Sequence, residues 1–164
     1  MSKLGRYSAD RKKIESVTEA KTVAVADCGT IFTITPGSSD YTVTLPTVSN
    51  AGKGWWCKFI LAASGTAQVT VAQSTSDSND LVYVRLSQTS VITSSITHHH
   101  AAAVGDGLGG LEWNADGLKF RSGSFSAIGD QVEFVTDGTS WYVTGHQSGS
   151  QNNLGTGIAP YHAA

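Results

Sequence analysis

The spacing of hydrophobic and polar positions changes once along the chain. Residues 1–21, MSKLGRYSADRKKIESVTEAK, are largely polar and hold the one stretch that reads as a helix. Ser8 or Asp10 can cap it, and Ile14 with Val17 forms a short apolar stripe. Two apolar anchors over about three turns do not hold an isolated helix in water. This segment is therefore ordered by something outside itself or not at all. From Thr22 onward the period is two, the mark of strands that bury one face.

The strongest strand signal lies in residues 129–145, GDQVEFVTDGTSWYVTG, where an Asp-Gly pair separates two alternating runs. Such a pair predicts a β-hairpin, because a two-residue turn needs positive φ at both positions. With Asp137 and Gly138 in the turn, Thr136 faces Thr139, Phe134 faces Trp141 and Val132 faces Val143 on one side of the ribbon. Glu133 opposite Tyr142 and Gln131 opposite Thr144 fall on the other side. A four-residue loop shifts every pair but preserves parity, so the faces stay the same. One face is apolar and aromatic and has to lie against something.

Other strands follow from the same reading. Residues 31–35 (IFTIT) and 41–45 (YTVTL) flank the turn PGSSD and suggest a hairpin-like pair, with Pro46 closing the second strand for want of an N–H. In residues 55–61 (WWCKFIL), Trp55, Cys57, Phe59 and Leu61 share one face, which makes this the best central strand. Residues 67–72 (AQVTVA) are expected to return beside it. Residues 73–80 read as a polar loop, and 81–86 and 91–97 as two further strands. A run of three histidines, His98–His100, and a Gly-rich passage at 105–110 come next. Leu111-Glu112-Trp113 and Leu118-Lys119-Phe120 flank a turn at 114–117. Residues 146–164 have the composition of a loose tail.

With 164 residues, abundant Gly, only 3 Pro and 15% charged residues, the chain suits one all-β domain with many short strands. The fold expected is an antiparallel β-sandwich or partly closed barrel with an extended N-terminal arm. Its parts are the basic arm at 1–21, the body at 22–145 and the tail at 146–164. No window of about 18 apolar residues exists to span a membrane, and the basic N-terminus lacks the apolar core of a signal peptide. Cys28 and Cys57 are too few for a disulfide scaffold. Both lie in strand-like segments, as buried thiols or as one cross-strand bridge.

Charge is unevenly placed. Residues 1–21 carry six Lys/Arg against three acids, and the remainder carries five bases against ten acids. A basic arm on an acidic body points to an acidic partner surface. Nucleic acid fits less well, since the arm has one aromatic residue, Tyr7, and the body offers no basic stripe. Catalytic chemistry finds little support. Adjacent histidines in a strand point to opposite sides, so His98, His99 and His100 do not converge on one ion within a chain. The glycines at 105–110 lack the Gly-Lys-Ser/Thr of a phosphate loop, and Asp77, Asn79 and Asp80 lack the Gly and distal Glu of a calcium loop. No nucleophile elbow and no carboxylate pair flanking a cleft stands out. No enzyme activity, metal or cofactor is expected. Trp56, Tyr142 and Trp113 fall outside the apolar stripes, where a second sheet covers them or they serve as subunit contacts or a sugar platform.

Two stretches carry a family resemblance. IESVTEAKTVAVADCGTIFTI with YTVTLPTVSNAGKGWWCKFIL, within residues 14–61, resembles a short arm, a Cys-Gly-Thr turn, a Thr-Val-Thr-Leu-Pro strand and an aromatic strand. The ending Ile128-Gly129-Asp130 through DGTSWYVTG is similar to the close of the same β-modules. Such modules occur in the capsid decoration (cement) proteins and in the trimeric tail-fibre or tailspike parts of tailed bacteriophages. The resemblance implies a structural virion protein, a homotrimer, on the outer surface of the capsid, with the major capsid protein as partner and neither nucleic acid nor membrane. Under it Arg6, Arg11, Lys12 and Lys13 make charge contacts to the capsid, and Leu4, Tyr7, Ile14 and Val17 serve as anchors. The alternative it implies is a tail-associated module whose loops at 73–80 and 98–110 touch a host glycan.

Overall fold

The computed structural model of the chain describes residues 12–77, 82–92, 95–101, 117–120, 127–147 and 158–161. Its strands are β1 (Ile14–Val17), β2 (Lys21–Thr22), β3 (Ile31–Ile34), β4 (Tyr41–Thr44), β5 (Trp56–Leu61) and β6 (Val69–Ala72). They continue with β7 (Val82–Ile92), β8 (Ser95–Ala101), β9 (Gly117–Phe120), β10 (Gln131–Thr136), β11 (Trp141–Gln147) and β12 (Ile158–Tyr161). One sheet has the order β1-β3-β5-β10-β11-β7-β8 and the other β12-β9-β6-β4-β2. Phe32, Phe59, Phe134 and Trp141 of the first sheet and Val43, Val71, Leu118 and Phe120 of the second join one buried cluster. The architecture is therefore sandwich-like and strand-dominated, and neither sheet is closed into a barrel.

The sheets are mixed rather than antiparallel, which corrects the expectation. From β1 to β6 each strand lies in the sheet opposite its predecessor, so β1-β3-β5 and β2-β4-β6 form two parallel ribbons. The chain winds around the core in three coils. Residues 31–35 and 41–45 thus do not pair with each other, and β6 does not return beside β5. The connection at 35–40 has no two-residue hairpin turn and is long enough to cross the ~10 Å between packed sheets. Crossing lets Phe32 and Ile34 bury against the opposite layer. The equivalent corner one coil on, between β5 and β6, packs on this one: a Cβ on Gly65 would come within 2.7 Å of Pro36 Cβ. Asp40 Oδ1 accepts from Gln68 N at 2.7 Å, which ties the two corners together.

Register lines up like residues in successive coils. Val17, Ile34 and Leu61 form one inward ladder, Phe32 and Phe59 another, and Val43 and Val71 a third across the core. The Phe32 and Phe59 rings stack at 5.1 Å. Burial of Trp55, Cys57, Phe59 and Leu61 agrees with the face read for this run.

The β10–β11 hairpin forms where the Asp-Gly pair places it, with a four-residue loop. Thr136 pairs with Trp141, Phe134 with Val143 and Gln131 with His146. Parity is kept, so Val132, Phe134, Trp141 and Val143 are buried. The loop is longer because the Asp137 carboxylate gathers Thr139 and Ser140 into it. Oδ1 accepts from Thr139 N at 2.9 Å, Thr139 Oγ1 at 2.7 Å and Ser140 N at 2.9 Å. Gly138 in the loop has a positive φ, +93°, which favours glycine.

Four further expectations are corrected. Residues 14–17 are a strand, not part of a helix, because β3 offers them a ladder that two apolar side chains in isolation lack. Cys28 is exposed and Cys57 buried, and both are free thiols. His98–His100 belong to strand β8, and Ile158–Tyr161 within the expected tail pair with β9. Trp113 and the 105–110 passage lie outside the described residues.

Candidate interaction surface

Two faces carry the residues singled out by sequence. The first is the end of the body where the N-terminal segment enters. There β1 and β2 are the edge strands of the two sheets, side by side in the first coil. The inward aromatic ladder, Phe59 then Phe32, reaches Glu15 at this end, in register with Phe32. Lys21 lies over the Phe32 ring, 5.7 Å from its centroid, and pairs with Glu15 Oε1 at 2.6 Å. A charged pair thus closes the end of the core. Inward-pointing charge on an edge strand discourages further strand pairing.

Lys13 extends the network. Its Nζ stands 2.6 Å from Asp27 Oδ1 and 3.4 Å from Glu15 Oε2, while Asp27 Oδ2 accepts from Ala24 N at 3.0 Å. The Asp27 bond raises the Lys13 pKa, and the Lys13 bond lowers that of Asp27. Glu15 is lowered chiefly by its bond to Lys21. Nearby, Tyr41 Oη donates to the carbonyls of Val17 at 3.0 Å and Thr35 at 3.2 Å, pinning β1 to the corner of the second coil. Burial pushes the Tyr41 hydroxyl up to about 12.

This geometry sorts the expected capsid-contact residues. Val17 is 3% exposed and belongs to the core, so it anchors β1 to its own body and offers nothing to a partner. Lys13 is tied to Asp27 and Glu15 within the chain. Ile14, 66% exposed, and Lys12 remain at the surface, Lys12 with its Nζ 5.9 Å from the Trp56 ring centroid. Leu4, Arg6, Tyr7 and Arg11 lie outside the described residues.

The second face is the outer side of the larger sheet, and sequence reading saw only part of it. Register aligns Trp56, Val135 and Tyr142 in one row across β5, β10 and β11. Tyr142 is 45% exposed, and Trp56 and Val135 are half-buried. The Tyr142 hydroxyl donates to Asp137 Oδ2 at 3.0 Å, so the carboxylate that shapes the hairpin loop also steadies this ring. Those bonds, foremost the one from Thr139 Oγ1, hold the Asp137 carboxyl well below the usual carboxylate range. One step along the strands, Lys58, Glu133 and Thr144 form the next row, followed by Ile60, Gln131 and His146. Between these rows lies a shallow cleft of about 230 Å³ lined by Lys58, Gln131, Val132, Glu133, Thr144, Gly145 and His146. The alternation Gln131, Glu133, Val135 was the available signal. What it lacked was which strand stood on the far side.

Among the described residues no group of three or more His, Cys, Asp or Glu is placed to hold a metal ion. No protein family, curated protein or solved structure matches this chain in sequence or fold.

Proposed function

We propose that the chain is a structural virion protein, a capsid decoration protein that binds the outer surface of a bacteriophage head as a homotrimer and stabilises contacts between capsomers. In this role residues 1–12 and Ile14 lie along the acidic surface of the major capsid protein. Arg6, Arg11 and Lys12 supply charge, and Leu4, Tyr7 and Ile14 supply apolar contact. Lys13 and Val17 root the segment in the body. The observation that carries the proposal is the concentration of six Lys/Arg in residues 1–21 beside an acidic body, entering at a rooted edge whose Ile14 is exposed.

The test is co-sedimentation with phage heads stripped of accessory proteins. Full-length chain should pellet with the heads. A chain lacking residues 1–11, which keeps β1 and the Lys13–Asp27 pair, should stay in the supernatant with an unchanged melting temperature. Equal pelleting of the truncated chain, or no pelleting of the full-length chain, overturns the proposal.

One observation favours a second reading, a trimeric tail-fibre or tailspike-associated module that contacts a host glycan: the exposed Tyr142 ring in line with Trp56. Copy number separates the two. A count comparable to the major capsid protein belongs to the head, and a handful per particle belongs to the tail.

A further inference from the structure

We infer that the outer face of the larger sheet is a binding site for a neutral oligosaccharide, with sugar rings stacking on the Trp56–Val135–Tyr142 row and hydroxyls bonding in the adjacent cleft. The inference rests on the second reading above, since both use the Trp56–Tyr142 row, and it adds the ligand class and the strand faces. Copy number tests that reading, and the titration below tests this one.

Three features point to a sugar rather than to a protein or a second copy. On β5, β10 and β11 the apolar strip is a single row, followed at once along the strands by Lys58, Glu133 and Thr144, whereas protein interfaces centre on a broad apolar core. Trp56 and Tyr142 stand two strand spacings apart, about 10 Å, with Val135 between them, a line suited to successive rings of a linear chain. The cleft alternates donors with acceptors: the Lys58 ammonium and Gln131 amide against the Glu133 carboxylate and Thr144 hydroxyl. A sugar hydroxyl both donates and accepts, so vicinal hydroxyls are matched by such a mixed set, which a purely apolar or single-charge ligand would leave unpaired.

The site is also held in shape before any ligand arrives. Tyr142 is fixed through its hydroxyl to Asp137, itself clamped by Thr139 and Ser140. The Trp56 backbone is fixed by Gly29 N, which donates to its carbonyl at 2.8 Å, and Lys12 Nζ lies 5.9 Å from the ring centroid, where a sugar hydroxyl would meet it. A Cβ on Gly29 would lie 3.7 Å from the indole ring. Little freedom of the Tyr142 ring remains to be lost on binding.

The full-length chain should be titrated with maltohexaose, cellohexaose and chitohexaose, with tetragalacturonate as the anionic comparison, following tryptophan fluorescence and amide NMR shifts. At least one neutral oligosaccharide should bind, with shifts clustered on β5, β10 and β11. Tyr142→Ala should weaken binding about tenfold, the loss of one aromatic contact. Glu133→Gln should weaken it while leaving the melting temperature in place, and Tyr142→Phe should retain most of the affinity. Absence of binding to all three neutral sugars at millimolar concentration overturns the inference. So does binding that both Tyr142→Ala and Glu133→Gln leave unchanged. Dissociation of an oligomer by Tyr142→Ala without any sugar binding would assign the face to subunit contact instead and equally overturn it.

Discussion

The wound part of the body, β1 to β6, and the β10–β11 hairpin share one core but are specified in different ways. In the hairpin, strands joined by a short loop pair with each other, and the loop chemistry around Asp137 sets their register. In the wound part, strands adjacent in sequence lie in different sheets, and each pairs with a strand one coil away. Local turn chemistry settles the first arrangement. The second depends on corners that carry the chain across the core and on side chains that stack in register from coil to coil. The same alternation of apolar and polar residues therefore serves two topologies, and the connection decides between them.

The two regions meet at Phe59. It stacks on Phe32 of the wound part and meets Phe134 of the hairpin edge-on at 5.8 Å. Phe59→Ala should cost about 3–5 kcal/mol, and because both regions lose a partner the chain should still unfold in one transition, measured by chemical denaturation. Separate transitions for the two regions would show that their cores are independent. Val17→Ala strikes only the first coil. Its loss of two buried methyl groups should cost about 2 kcal/mol, with amide hydrogen exchange rising in β1 and β3 and little changed in β10 and β11.

The smallest effects come from pH, and they act on the two regions from opposite directions. Tyr41 has its folded pKa raised to about 12 against an ordinary 10.0. The folded state then holds a proton that the unfolded chain releases, so stability is full below pH 10 and falls as pH rises from 10 to about 12. Tyr41→Phe should flatten that alkaline limb. Asp137 has its pKa lowered by the donors of Thr139, Ser140 and Tyr142. Its contribution is present above the ordinary carboxylate value of 3.8 and declines as pH falls below it. Asp137→Asn should flatten part of the acid limb, read from melting temperature against pH.

Sequence made the faces legible and the neighbours only in part. Alternation placed Phe32, Ile34, Val43, Cys57, Phe59, Val132 and Phe134 inward, because side-chain direction in a strand is a local property. It also located the hairpin, because Asp-Gly is a local signal. It paired 31–35 with 41–45, since nothing in PGSSD distinguishes a turn back along one sheet from a corner into another. The helix read for residues 1–21 gave way to β1 over 14–17, where the β3 ladder supplies what a two-anchor helix lacks. The Lys13–Asp27 pair joins residues 14 apart, and the Trp56–Val135–Tyr142 row joins residues up to 86 positions apart in sequence. Neither is written in any local pattern.

A coil that stacks on its predecessor has, in principle, no reason to stop, since every layer presents the same backbone template to the next. Here the height of the stack is decided by chemistry at one position: where a third phenylalanine would have invited another layer, Glu15 meets Lys21. The body's dimension along the stacking direction is in that sense encoded by a single side chain, and growth of such modules by duplication would have to rewrite that residue first.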